Sequence, residues 1–129
     1  MHTIPIPITA VFAALLALML VAISIRVTVL RAKKKISFFD GGDADLGHAM
    51  RVQGNFIEYV PMALFLFALL EWMGTASWVI YLFGAALLVA RFVHAWGLYS
   101  DIFRARVVGT SLTWLLLVAG ALAVLARVA

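Results

Sequence analysis

Arg51-Val52-Gln53-Gly54-Asn55-Phe56-Ile57-Glu58-Tyr59-Val60-Pro61 opens a long apolar run, yet it carries an arginine, an amide and a carboxylate. Arg51, Asn55 and Glu58 are spaced i, i+4, i+7, which on a helix places them along one stripe. From Val60 to Leu70 no charged side chain follows. A charge at the centre of a bilayer costs about 2.5–3.5 kcal/mol on insertion scales. Three polar groups on one face of a membrane helix therefore need partners, and the rest of the chain is expected to supply them.

The surrounding composition makes the bilayer the expected solvent. Of 129 residues, 66% are hydrophobic and 12% charged, and the mean hydropathy is +1.11. An ordinary soluble domain has about 25% charged residues. One crossing takes about 20 residues, so four crossings use most of the chain and predict a single membrane domain over 1–129. There is no cysteine, which excludes disulfides, thiolate metal sites and a cysteine nucleophile. The net charge of +4 reports orientation first. No basic face of a soluble module is visible, so nucleic acid is not an expected partner.

Four apolar stretches predict helices over about 4–30, 46–72, 76–98 and 107–128. The first lacks a positive leader and is too long for a signal-peptide core, so it reads as a retained helix. Pro5 and Pro7 stand at its start, where a missing N–H costs little. Arg31, Lys33, Lys34 and Lys35 follow, then a loop marked by Gly41-Gly42 and three aspartates. Asp45 is expected to cap the second helix. Pro61 lies inside that helix, which membrane helices tolerate. Gly84 and Ala85 offer a close-packing surface on the third. Trp72, Trp78 and Trp96 read as interfacial anchors or packing.

The first and third connections hold Arg31, Lys33, Lys34, Lys35, Arg51, Arg104 and Arg106, whereas the other ends hold His2 and Arg127. The positive-inside rule puts the first and third connections in the cytoplasm and both termini on the non-cytoplasmic side. Arg26, Arg51, Asn55, Glu58, Arg91, His94 and Arg106 then converge at one depth.

Such a set offers guanidinium groups to carboxylates, a carboxylate to an amine, and an amide to peptide groups. A small zwitterionic peptide suits that mixture. A thiol ligand gains further, because a nearby arginine favours the thiolate over a thiol of ordinary pKa about 8.5. Plainer readings compete at each position. Arg51 and Glu58 form an ion pair within or between helices; Asn55 is glue between helices; His94 is a packed histidine; Tyr59 either packs or reaches a ligand. The basic cluster is an orientation signal touching anionic headgroups. His48 and His94 stand apart with no acidic cluster at familiar spacing, so no metal site is expected.

The pattern from Arg51 to Pro61, Asp40-Gly41-Gly42-Asp43, Arg91-Phe92-Val93-His94-Ala95-Trp96-Gly97 and Arg106-Val107-Val108-Gly109-Thr110 resemble the MAPEG family, the membrane-associated proteins in eicosanoid and glutathione metabolism, and specifically its short bacterial members. The resemblance covers nearly the whole chain. It implies an all-α homotrimer of four-helix subunits in a bacterial inner membrane, with glutathione as cosubstrate between adjacent subunits near the cytoplasm. It assigns Arg51, Asn55 and Glu58 to one side of that interface and Arg91, His94 and Arg106 to the other. Arg31 matches a family arginine that reaches the ligand, and Tyr59 adjoins the motif. Arg106 is the expected thiolate-stabilising residue, with Arg104 its close competitor, since a small shift of alignment exchanges them.

The chain departs from the family pattern at Gly54, where prostaglandin E synthase relatives carry arginine, and at Leu98, where several eicosanoid synthases carry tyrosine. The implied function is a glutathione transferase, with possible peroxidase activity, acting on a hydrophobic electrophile or lipid hydroperoxide from the bilayer. The alternative is a non-catalytic lipid- or glutathione-binding scaffold. A small four-helix multidrug transporter fits less well, because the first helix lacks an acidic residue.

Overall fold

The computed structural model describes residues 5–129, so His2 and the expected helix start at Ile4 lie outside the described residues. Four helices account for the fold: α1 (Pro7–Lys34), α2 (Ala44–Trp72), α3 (Ser77–Tyr99) and α4 (Phe103–Val128). All four are long and apolar enough to cross a membrane, and no strand occurs among the described residues. The protein is an all-α membrane bundle. The two connections rich in cations define its basic end.

Within the bundle, α2 and α3 pack on each other, and α1 and α4 flank them without close backbone approach to one another. The core joins Leu16 and Ile23 of α1, Phe56 and Phe67 of α2, Leu87 of α3 and Leu116 of α4. Exposed Val11, Leu18, Phe65, Leu82, Leu115 and Leu122 face outward, as lipid contact requires. In hydrocarbon such packing, rather than hydrophobic burial, holds helices together. Gly84 is buried where α1 crosses α3: a Cβ there would lie 2.2 Å from the Phe12 ring. Ala85 is exposed and takes no part.

Two helix ends differ from expectation. α1 runs through the basic cluster to Lys34 instead of stopping near residue 30. Lys34 is neutralised there by an ion pair with Asp43 and a second carboxylate, Asp45, at 3.3 Å. Asp43, not Asp45, caps α2: its side chain accepts from the Leu46 N–H at 2.9 Å, while Asp45 lies in the first turn. α4 begins at Phe103, so Arg104 and Arg106 are helical rather than part of a polar connection. Asp101, at φ 53°, turns the chain tightly enough to start the helix early.

The opposite end is closed by two charges. Pro7 begins α1, and Ile6 offers no capping side chain. Glu71, near the end of α2, supplies the missing acceptors: Ile8 N–H and Thr9 N–H donate to its carboxylate at 2.8 and 2.7 Å. A carboxylate at a helix N-terminus also meets the positive end of the helix dipole. Arg127 of α4 donates to the Met73 carbonyl at 3.0 Å, beyond the end of α2.

Candidate functional site

The polar stripe on α2 divides. Asn55 turns inward and is 6% exposed, whereas Arg51 and Glu58 are exposed on the outer face. Inside, Arg91 of α3 donates from Nη1 to Asn55 Oδ1 at 2.6 Å. Arg91 is 1% exposed, the largest fully buried side chain. Its Nε and Nη2 are buried with no hydrogen-bond partner among the described residues. A guanidinium carries five donor hydrogens and stays charged, so one acceptor leaves it far from satisfied. The resemblance assigns Asn55 and Arg91 to opposite sides of a subunit interface; here they are bonded within one chain.

His94, one turn beyond Arg91, joins α3 to α4. Its Nδ1 lies 3.2 Å from the Arg106 carbonyl and 3.0 Å from Thr110 Oγ1. The carbonyl can only accept, so the tautomer with hydrogen on Nδ1 serves it, and Nε2 is then left as an acceptor. Nε2 is buried without a partner among the described residues. Two glycines allow the helices this close. A Cβ on Gly109 would lie 2.6 Å from His94 Cβ, and one on Gly97 would lie 2.6 Å from the Arg106 backbone nitrogen. Both separations are below any tolerated contact, so side chains there would push α3 from α4 and carry His94 away.

On the outer face, Arg51 Nη1 and Glu58 Oε1 stand 3.8 Å apart. They meet above Gly54, whose Cβ position lies 3.8 and 3.9 Å from those atoms. The pair therefore straddles a floor with no side chain. Tyr59 packs edge-to-face on Trp114 of α4, ring centroids 6.2 Å apart. Along α4, Arg106, Thr110 and Trp114 recur at helical spacing and, with Val107 and Ser111, line a concavity of about 220 Å³. The Arg106 guanidinium lies 3.9 Å from Asp101 and over the Phe103 ring at 5.4 Å. Arg104 is exposed, with no ion-pair partner among the described residues.

Arg31 is engaged locally. Its Nη1 donates to the carbonyls of Ile36, Ser37 and Phe39 at 3.3, 3.3 and 2.9 Å, and Nη2 lies 3.3 Å from Met50 Sδ. It thereby fixes the loop that leads into α2. Two polar contacts escaped the sequence reading. Thr110 was signalled by lying four residues after Arg106, on the same face. Gln53 Nε2 donates to Ser24 Oγ at 2.9 Å, which clamps α1 to α2; its only signal is an amide on an apolar helix. No group of three or more histidines or carboxylates is placed to hold a metal among the described residues.

The comparisons with known proteins agree with this architecture. The sequence model of the MAPEG family matches residues 9–126. Inner membrane protein YecN of Escherichia coli strain K12 is 36% identical over 107 residues, covering 83% of this chain and 82% of that protein. The protein of the same name from Escherichia coli O6:H1 strain CFT073 matches equally.

Proposed function

The chain belongs to the MAPEG family, and we propose that it is a membrane-bound glutathione transferase, with peroxidase activity toward lipid hydroperoxides, in a bacterial inner membrane. Membership associates the protein with glutathione. The transferase assignment rests on one observation above all: a buried Arg91 with two unpaired donor nitrogens next to a histidine whose Nε2 is also unpaired. Such groups are costly to bury unless something binds them. A peptide carrying two carboxylates supplies the acceptors.

In this reading the exposed Arg51 and Glu58 separate to hold a ligand carboxylate and amine. Their position on an otherwise apolar outer face favours coverage by a second copy of the chain, and we propose the homotrimer of the family. Arg106, half-buried at the start of α4, holds the thiolate by charge; Arg104 is its competitor. The thiol proton leaves to water, and the thiolate then attacks an electrophilic carbon. On an aryl halide a C–S bond forms and halide departs with the C–X electron pair. With a hydroperoxide, two thiols are oxidised to one disulfide while ROOH is reduced to ROH and water. Position and charge stabilisation supply the rate.

A second reading is favoured by Tyr99. Its ring lies 4.2 Å beneath the Arg26 guanidinium of α1 and packs toward Val27 of α1 and Leu46 of α2, and Leu98 is buried and apolar. No tyrosine hydroxyl of α3 then serves Arg106, which suits a scaffold that binds glutathione or lipid without turnover. Ultraviolet difference spectra of purified protein with glutathione report thiolate formation, and aryl halide conjugation reports turnover. Thiolate formation with turnover, both lost in Arg106→Ala, supports the transferase. Binding without turnover across several electrophile classes supports the scaffold.

A further inference from the structure

A second recess lies outside this site, between α1 and α3 at the basic end. Met19, Ala22, Ile23, Phe92, Trp96 and Tyr99 line an open recess of about 340 Å³, a size typical of small-ligand sites. Its lining is almost wholly apolar except for Arg26, which is exposed and stacked on the Tyr99 ring at 4.2 Å. No carboxylate pairs with Arg26 among the described residues. Lys33 lies seven residues on, on the same face of α1, exposed and likewise without an ion pair. Arg26 is eight residues short of the end of α1, roughly 12 Å along the axis. An apolar wall thus leads to one cation inside the helix and a second near its end.

We propose that this recess is a binding site for an anionic phospholipid of the leaflet at the basic end. One acyl chain lies along Met19, Ala22, Ile23 and Phe92, and the phosphate sits between Arg26 and Lys33. Three observations choose this occupant. The cations are unpaired, so the ligand is anionic. They are staggered along one face over the depth of a headgroup, so the charge belongs at the membrane boundary. The remainder of the wall is hydrocarbon, so the rest of the ligand is apolar. Tyr99 holds the guanidinium over its ring face by cation–π attraction, which keeps Arg26 beside the recess instead of extended to water.

The full-length protein is reconstituted in vesicles containing equal phosphatidylglycerol and phosphatidylcholine, and lipids retained after mild detergent extraction are identified by native mass spectrometry. Phosphatidylglycerol is expected to be retained in preference to phosphatidylcholine, by about fivefold for each basic residue engaged. Arg26→Gln lowers that preference by about fivefold, and Arg26→Gln combined with Lys33→Gln brings it close to parity. Ala22→Phe, at an exposed position that fills the recess, abolishes retention of both lipids. Arg106→Ala leaves retention unchanged, which separates this site from the glutathione site. Equal retention of the two lipids by the parent overturns the proposal, as does an unaltered preference in Arg26→Gln. A change of subunit number in Ala22→Phe, with lipid still bound, assigns the recess to contact between copies. Retention of a single-chain fatty acid in place of phospholipid overturns the phosphate assignment.

Discussion

At the end of the bundle opposite the basic loops, the charged side chains of Glu71 and Arg127 are occupied by the backbone. Both oxygens of Glu71 accept an N–H from the start of α1, and Arg127 donates to a carbonyl just past α2. At the basic end the charges have capacity left over. Arg91 makes one side-chain bond and leaves two nitrogens unpaired, His94 leaves Nε2 unpaired, and Arg51 and Glu58 stand 3.8 Å apart in the open. Both ends belong to the same four helices, and both hold charge that a bilayer penalises. The difference is in what the charge is bonded to. A group that only closes a helix end is saturated by that end, whereas a group kept for a ligand must be positioned by the fold without being consumed by it. Arg31 is instructive because it lies at the basic end but behaves like Glu71, with its donors given to loop carbonyls.

The sharpest way to break this contrast is to remove Arg106. Loss of a single charge-stabilising donor from an active site costs about 10²–10³-fold in turnover. Arg106→Ala is expected to lower aryl halide conjugation by about that factor, and to leave thermal unfolding within about 1 kcal/mol of the parent, since the ion pair it loses to Asp101 is long and solvent-exposed on the aspartate side. Arg104→Ala is expected to change conjugation by less than about threefold, since that side chain is exposed and has no ion pair among the described residues. If the two arginines exchange these effects, the start of α4 presents Arg104 to the ligand. If neither matters, neither arginine at the start of α4 serves catalysis.

Asn55 tests whether the inner pair is fold or function. Asn55→Leu leaves Arg91 buried without its one acceptor, and breaking a charge-assisted hydrogen bond of this kind costs about 1.5–3 kcal/mol. Replacing both partners, as Asn55→Leu with Arg91→Met, removes the buried charge and is expected to recover most of that stability. The double variant should unfold like the parent while losing glutathione binding by calorimetry. A double variant that is as unstable as Asn55→Leu would make Arg91 a structural residue, and the contrast between the two ends would fail.

The four helices were legible because their apolar stretches are as long as the bilayer is thick. The polar cluster was legible from residue types and helical spacing. What spacing alone could not give was the division of the stripe. At 100° per residue Asn55 and Glu58 are about 60° apart around α2, and that angle is enough to put one against α3 and the other outside. Only packing decides where the boundary falls. The capping role of Glu71 was not legible because its partners lie 62 and 63 positions earlier in the chain; a contact of that range leaves no local pattern. The early start of α4 and the late end of α1 have the same origin, since each depends on a charge or turn beyond the helix itself.

Glu71 gives the converse of the Arg106 experiment. Removing a helix-capping acceptor costs about 0.5–2 kcal/mol, so Glu71→Ala is expected to destabilise the protein by about that amount in chemical unfolding. Its conjugation rate at a temperature well below unfolding should match that of the parent. Glu71→Gln keeps an oxygen acceptor but loses the charge at the α1 N-terminus, and its cost should be the smaller of the two. A large loss of turnover in either variant would show that the two ends are coupled.

The smallest effect lies in the loop joining α1 to α2, where Asp43 serves the fold at the end assigned to the ligand. The Lys34 ammonium first, and then the Leu46 N–H, hold its carboxyl below the ordinary value of 3.8. A carboxyl lowered on folding stabilises the folded loop fully above that ordinary value, and the contribution fades as pH falls through the lower, folded value. The chain contains no cysteine, so a single spin label at the exposed Ser37→Cys position reports this loop alone. Its mobility should be flat from neutral pH down to the ordinary carboxyl range and rise below it. Asp43→Asn keeps a good capping side chain but cannot pair with Lys34, so its label should be more mobile at neutral pH and respond less to acid. The rest of the loop is common to both proteins, and the difference between the two curves therefore reports Asp43. Coincident curves would mean that Arg31 and its three carbonyls hold the loop without help from the ion pair. The loop's rigidity would then rest, like the opposite end of the bundle, on a charge given entirely to the backbone.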